Sequence, residues 1–316
     1  MIKTIKKQWF LCGLVLIFLA VIFDKTGWIA LAGIHLKNHS GSSVMIFFIF
    51  ILSGMIIDID QMKSGIRDVK STLAALLMII VISPFVAAAM SFLSLETGII
   101  LGLFIVAVMP TTISSGVVMT GNAGGNMAHA LFVTIVSNCI AIISIPFMLS
   151  ILLLLQQQDK VLSIDQKAII VKLLILVLLP LLTGMFLKQM VFNITANQKK
   201  IMGIINQCCV ICIVFMSLSG VKEILISKSS SFFLIVPLVI IFHLCLLGFS
   251  CLVSRFLNIG KGKRESVIFM GSQKTLPLSV MLQMTYFPEY GTALLVCVVH
   301  HITHLMIDGY LAVKLK

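Results

Sequence analysis

Ten apolar stretches occupy most of the chain: residues 9–23, 43–57, 72–93, 97–116, 127–155, 168–190, 201–219, 231–254, 265–286 and 290–312. Within them the apolar positions run on without the two-residue alternation of a half-buried strand. About 20 apolar residues suffice to cross the hydrocarbon core of a bilayer. Lipid offers the backbone no hydrogen-bond partner, so continuous apolar segments of this length are helices. The pattern predicts an all-α polytopic membrane protein of ten transmembrane helices, joined by short polar connectors and carrying no soluble domain.

Two of the ten stretches are interrupted by polar residues around a proline. In the fourth the run is Pro110, Thr111, Thr112, Ile113, Ser114, Ser115, Gly116. In the ninth it is Gly271, Ser272, Gln273, Lys274, Thr275, Leu276, Pro277. The interruptions sit at matching places. Leu52-Ser53-Gly54 ends the second span and Leu218-Ser219-Gly220 the seventh, and the prolines follow these glycines by 56 and 57 residues. The spacing implies two copies of five spans, residues 1–156 and 157–316. An odd number of spans inverts the second copy relative to the first. Inverted repeats with paired broken helices are the architecture of secondary transporters, because a broken helix frees backbone groups at mid-membrane for a substrate or ion. Two proline kinks packed by Ser and Thr would give the same local pattern.

Composition agrees. The chain is 59% hydrophobic and 11% charged, whereas a soluble domain carries roughly 25% charged residues. The net charge of +12 is no nucleic-acid signature, since the 23 Lys and Arg residues lie almost wholly in connectors. Fifteen fall around residues 3–7, 63–70, 188–200, 255–264 and 314–316, and seven around 25–37, 160–172 and 222–228. The excess of basic residues marks the cytoplasmic face, so both termini are expected there, in the plasma membrane of a bacterial cell. The first apolar run, behind Lys3, Lys6 and Lys7 and before Ala30-Leu31-Ala32, has the look of a signal peptide. It is read as an uncleaved span, since its removal would leave an odd number. The Asn193-Ile194-Thr195 sequon then falls on the cytoplasmic side. The eight cysteines lie mostly inside apolar runs as small apolar residues. Cys209 and Cys212 have redox spacing but sit in mid-helix. Trp9 and Trp28 read as interface anchors at the ends of span one. The 18 methionines and 21 phenylalanines suit a greasy cavity or lipid contact.

Three groups of polar residues remain. Lys274 is the one Lys or Arg at the middle of a span, and a charge at mid-bilayer costs several kcal/mol (about 2.5 upward), which marks it as functional. His300, His304 and Asp308 share a helix face at i, i+4, i+8. That stripe, with His301 beside it, suits proton handling, a metal ion, or hydrogen bonding to neighbouring spans. No fourth metal ligand is evident, and no metal site is expected. His129 and His243 read chiefly as packing residues.

The run Met109 to Gly116, followed by Asn122-Ala123-Gly124-Gly125-Asn126, resembles the fourth-span crossover and fifth-span start of the bile acid:sodium symporter family. Gly271 to Thr275 resembles its ninth-span counterpart, and the match is nearest to the divergent bacterial branch. The resemblance covers the whole chain in span number, repeat and break positions. It implies a panel of spans one, two, six and seven, a core of spans three to five and eight to ten, an organic anion moving between them by alternating access, and sodium behind the crossover. The chain departs from the family at the sodium site. Ser115 and Gly116 stand where the family has a Ser-Asn pair. Of two hydroxyl ligands in span five, Thr134 matches and Ala130 does not. Gln273 matches, but the glutamate position falls on Phe269 and the following asparagine on Lys274. An apolar residue near Ile79 replaces a glutamine. Three or four oxygen ligands, including the only carboxylate, are missing, so sodium coupling is not expected to follow the family pattern.

Within that resemblance Lys274 has four readings: a stand-in for sodium, an attractor of substrate anion, a carrier of the coupling proton, or a side chain that snorkels to water. The expected function is a secondary active transporter of an organic anion, not an enzyme, with no cofactor beyond a coupling sodium or proton and no nucleic-acid partner. A membrane regulator that keeps the fold without transporting, an intramembrane enzyme built on the histidines and a passive channel are the competing classes.

Overall fold

The computed structural model describes residues 9–57, 65, 67–155, 164–191, 194–227 and 229–315. Lys3, Lys6, Lys7, Lys63, Lys160, Asn193, Lys228 and Lys316, and the boundary between the two expected halves at 156/157, lie outside these residues. Among the described residues all regular structure is helical.

The helices are α1 (Trp9–Ile22), α2 (Trp28–Asn38), α3 (Gly41–Ile56), α4 (Val69–Met90), α5 (Thr97–Val108), α6 (Ser115–Asn122), α7 (Met127–Leu154), α8 (Gln166–Met190), α9 (Ala196–Gly220), α10 (Lys222–Ser227), α11 (Ser229–Phe256), α12 (Arg264–Ser272), α13 (Leu276–Tyr286) and α14 (Gly291–Lys314). Six of them, α4, α7, α8, α9, α11 and α14, are long and apolar enough to cross a membrane. The pair α2 and α3, bent by 69° at His39 and Ser40, makes a seventh candidate. The multi-pass membrane character is therefore plain from length and composition alone.

The remaining apolar stretches are divided among shorter helices. At about 1.5 Å per residue, the 12 residues of α5 reach only about 18 Å of the about 30 Å hydrocarbon core. The chain leaves helical geometry over residues 109–114, between α5 and α6, and over residues 273–275, between α12 and α13. These are the two polar runs that the sequence singles out. Pro110 and Pro277 are buried at them, Pro277 at the second position of α13, where its missing N–H costs nothing.

Burial separates the broken helices from the rest. Gly98–Val108 of α5, Glu265–Ser272 of α12 and Leu276–Gln283 of α13 are buried at every position. The long helices instead present apolar side chains outward, with Phe85, Phe233 and Phe256 largely exposed, as a lipid-facing surface requires. Of the broken helices, α5, α12 and α13 thus form the centre of the molecule. Around them, α3 packs on α8 and α9, and α9 on α1 and α2. A second set packs α14 on α5 and α11, and α12 on α4, α6 and α11. At the α3–α8 contact, added Cβ atoms on Gly54 and Gly184 would meet the Leu181 and Ile51 carbonyl oxygens at 2.3 and 2.1 Å. Only glycine allows the two backbones that close.

The stretch between the first two apolar runs reads as a plain connector in the sequence but contains α2. Lys37 and Asn38 end an otherwise apolar turn there, and Asp24 organises its start. Asp24 Oδ1 accepts from Thr26 N, Thr26 Oγ1 and Gly27 N, and Oδ2 from Ala30 N at 3.1 Å. Lys222 at the start of α10 lies 3.7 Å from Oδ2 and also donates to the Asp24 carbonyl. Those partners, the Thr26 hydroxyl foremost, hold the Asp24 carboxyl at about 2, against burial that pushes it upward.

Candidate functional site: the two helix breaks and their buried polar network

The site begins with a defect in α4. Residues Met78–Ile82 form a π turn, in which the Ser83 N–H reaches back to the Met78 carbonyl. The next residue, Pro84, has no N–H to give the Ile79 carbonyl in the same register. The Ile79 carbonyl is therefore available to a side chain. At α5 the last carbonyls likewise lack helical partners, and the helix carries a partial negative charge at that end.

Lys274 fills this vacancy. Its Nζ donates to the carbonyls of Ile79 at 3.3 Å, Ala107 at 3.0 Å and Met109 at 3.0 Å. Ser83 Oγ also donates to the Ala107 carbonyl, at 2.9 Å. The side chain is 2% exposed, so it does not snorkel to water. All three donors of an ammonium are used, on carbonyls from α4 and from the C-terminal end of α5.

The two breaks also meet directly. Thr275 N–H donates to the Pro110 carbonyl at 3.0 Å. Gln273 Oε1 accepts from Thr112 Oγ1 at 2.7 Å and Ser115 Oγ at 2.9 Å. Ser115 Oγ also donates to Thr112 Oγ1 at 2.7 Å, and the Gly116 N–H to that oxygen at 3.0 Å. On its other side, Gln273 Nε2 donates to Asp308 Oδ2 at 2.8 Å. Asp308 Oδ1 lies 2.9 Å from His243 Nε2, and both side chains are fully enclosed. One network thus joins the first break, the second break, α14 and α11.

Of the residues singled out in the sequence, Thr112, Ser115, Gln273, Lys274 and Asp308 converge. Thr111 is buried at the break with an unpartnered hydroxyl, while its carbonyl accepts from Asn138. Thr275 is buried beside the Pro110 carbonyl. Ser272 donates to the carbonyl of Ile268 in its own helix, and Gly271 packs against Met78 and Ser250. Ser114 is exposed and takes no part. Thr134 donates to Ala130 O at 2.9 Å and, at 3.4 Å, to Thr112 O. Its hydroxyl steadies α7 against the break. His304 Nδ1 stands 4.0 Å from Asp308 Oδ2, and His300 meets His243 edge to face, with ring centroids 5.7 Å apart. His129 bonds Thr72 and Ser266, as a packing residue does. Among the described residues no group of three or more His, Cys, Asp or Glu has metal-binding geometry, and Cys209 and Cys212 are free.

Three further buried polar residues are missed or misread in the sequence. Asn138 follows Thr134 by one turn of α7, and polar residues spaced by four in an apolar span are the signal that marks it. His243 reads as packing in the sequence but is the direct partner of Asp308. Glu265 is fully buried at the start of α12, accepting from Gly262 N and Arg264 Nε.

Phe269 is enclosed with Ala123 and Ala312, and the Lys274 ammonium takes the carbonyls of Ile79, Ala107 and Met109.

Residues 8–316 match the SBF-like CPA transporter family. The chain is 30% identical over 289 residues to a probable sodium/metabolite cotransporter BASS4, chloroplastic, of Arabidopsis thaliana, covering 87% of this chain and 66% of that protein, just under two thirds of its length. It is 23% identical to sodium/bile acid cotransporter 7-B of Xenopus laevis, over 100% of this chain and 94% of that protein. A similar match, 22% identical, reaches sodium/bile acid cotransporter 7 of Gallus gallus over 93% of its length. From its matched length and its paired helix breaks, the chain belongs to the SBF-like CPA transporter family, the bile acid:sodium symporter kind that its crossover motifs resemble.

Proposed function

We propose that the protein is a secondary active transporter of a small organic anion, working by alternating access, in which the ammonium of Lys274 takes the place of a coupling sodium ion. The observation that carries this reading is the set of three carbonyls, from Ile79, Ala107 and Met109, that converge on Lys274 Nζ. A cation at that point neutralises the negative end of α5 and ties the second break to the first. The relatives are named for sodium-coupled transport of bile acids or metabolites, which supports an organic anion as cargo.

The architecture in this proposal is ten spans, arranged as two inverted copies over residues 1–156 and 157–316 with both termini cytoplasmic. The broken pairs α5/α6 and α12/α13 count as spans four and nine. The α1–α3, α8 and α9 group supplies the panel, and the group around α4–α7 and α11–α14 supplies the moving core. Thr111, Thr112, Ser115 and Thr275 offer polar groups at the crossover, beside the N-terminal ends of α6 and α13, whose partial positive charge favours an anionic group.

The test is uptake into proteoliposomes of a panel of radiolabelled carboxylates, from taurocholate to butyrate, with sodium or choline on both sides. The expected result is uptake of at least one of them, equal in the two salts. Uptake of none would favour a non-transporting regulator, and sodium-dependent uptake would remove the assignment of Lys274.

A further inference from the structure

Asp308 and His243 face each other in the interior with no exposed surface. With Asp308 as a carboxylate, which only accepts hydrogen bonds, the hydrogen of the His243–Asp308 contact sits on His243 Nε2. The other ring nitrogen, Nδ1, is then a bare lone pair, and it has no hydrogen-bond partner. Nor does His300 Nε2 or His304 Nδ1. Buried polar atoms are nearly always partnered, yet three ring nitrogens in one cluster are not. The rings lie close: His243 is 5.7 Å from His300 and 5.8 Å from His304, centroid to centroid. His304 Nε2 shares a hydrogen with His301 Nδ1 at 2.9 Å.

The surrounding charges are few. On the elements packed against α11, they are Asp308 and the terminal Lys314 on α14, Lys70 at the start of α4, Arg264 and Glu265 at the start of α12, and Lys274 just beyond α12. α11 itself carries Arg255 near its end. Arg264 and Glu265 pair with one another. At the centre this leaves one carboxylate, one ammonium and four imidazoles. With the imidazoles neutral the centre is formally neutral. One added proton makes it singly positive, a charge that a monovalent organic anion cancels.

We infer that His243, with Asp308 as its counter-charge and His304 beside it, is a buried binding site for a single proton, and that this proton is the coupling ion. The inference rests on the transporter reading and names its driving ion. On the open side, a hydronium ion or buffer acid gives its proton to His243 Nδ1, and an N–H bond forms. The imidazolium faces Asp308, and on the opposite side the same N–H bond breaks and the proton passes to water. Asp308 Oδ2 is held by Gln273, whose Oε1 is held by Thr112 and Ser115. Proton binding at His243 is thereby transmitted to both helix breaks.

The experiment is a pH jump on purified protein in a solid-supported membrane, with no organic anion and no sodium. The jump runs from about pH 8 to about pH 5.5, across the histidine range. Wild type is expected to give a transient charge displacement, His243→Gln to lose it, and a sodium jump at fixed pH to give none. Gln keeps a donor for Asp308 but cannot take the proton. Absence of the wild-type transient, its survival in His243→Gln, or a matching sodium transient each overturns the proposal. Should the variant not fold, 15N-histidine wild type decides: a buried imidazolium must appear as the pH falls, and rings that all stay neutral overturn it. Because no organic anion is present, a failed pH jump leaves anion transport standing, and failed carboxylate uptake leaves the transient untouched.

Discussion

The side-chain amide of Gln273 hands its N–H to Asp308 at 2.8 Å, across 35 positions of sequence. Gln273 belongs to the three-residue break of the ninth apolar stretch, and Asp308 to the last helix. The amide is used at both ends, since its oxygen takes the hydroxyls of Thr112 and Ser115 from the other break. One neutral side chain thus couples both interruptions to a buried carboxylate.

Gln273→Leu keeps the volume but removes both ends of this bridge. It leaves Asp308 short of a donor and the Thr112 hydroxyl short of its acceptor, while Ser115 Oγ keeps Thr112 Oγ1 as a partner. We expect a loss of about 3 kcal/mol, since each buried group left unpaired costs about 1–3 kcal/mol. Thermal unfolding in detergent checks this. An unchanged melting temperature would mean that the network is not closed.

The α3–α8 contact makes a steric prediction. Gly54→Ala and Gly184→Ala each drive a methyl group onto a backbone oxygen and are expected to destabilise by about 1–3 kcal/mol. Gly203→Ala in α9, where a Cβ meets nothing within 4 Å, is expected to stabilise by about 0.5–1 kcal/mol. Melting temperatures of the three variants, compared side by side, must fall on opposite sides of wild type.

Asp24 gives a pH dependence. Its carboxyl is lowered from 3.8 to about 2 by the Thr26 hydroxyl, the Ala30 and Gly27 amides and Lys222. The stabilisation is therefore fully present above the ordinary carboxyl range and is lost as pH falls towards about 2. Asp24→Asn should melt below wild type by a constant interval at neutral and mildly acidic pH, and the interval should close only in strong acid. An interval that shrinks between neutral pH and pH 5 would contradict the capping role.

Much of this arrangement is legible in the sequence because polarity inside an apolar run is conspicuous. The breaks at 109–114 and 273–275, the lone Lys274 and the His300–Asp308 stripe all stand out for that reason. The partners are another matter. Lys274 binds carbonyls, which every residue has, and the Ile79 carbonyl is free only because a π turn sets it against Pro84. His243 lies 65 positions from Asp308, and no local spacing connects them. The helix α2 escapes notice because Lys37, Asn38 and His39 read as connector, although Asp24 caps the turn before it. Gly54 and Gly220 mark the matching span ends in sequence, yet the steric demand on Gly54 comes from α8, which only packing reveals.

The central claim is that the Lys274 ammonium occupies the place of a cation. Its most direct test is the melting temperature of purified wild type and Lys274→Ala, each in sodium and in choline. The account predicts that wild type is indifferent to the salt, whereas sodium raises the melting temperature of Lys274→Ala by entering among the Ile79, Ala107 and Met109 carbonyls. Stabilisation of the wild type by sodium would contradict it.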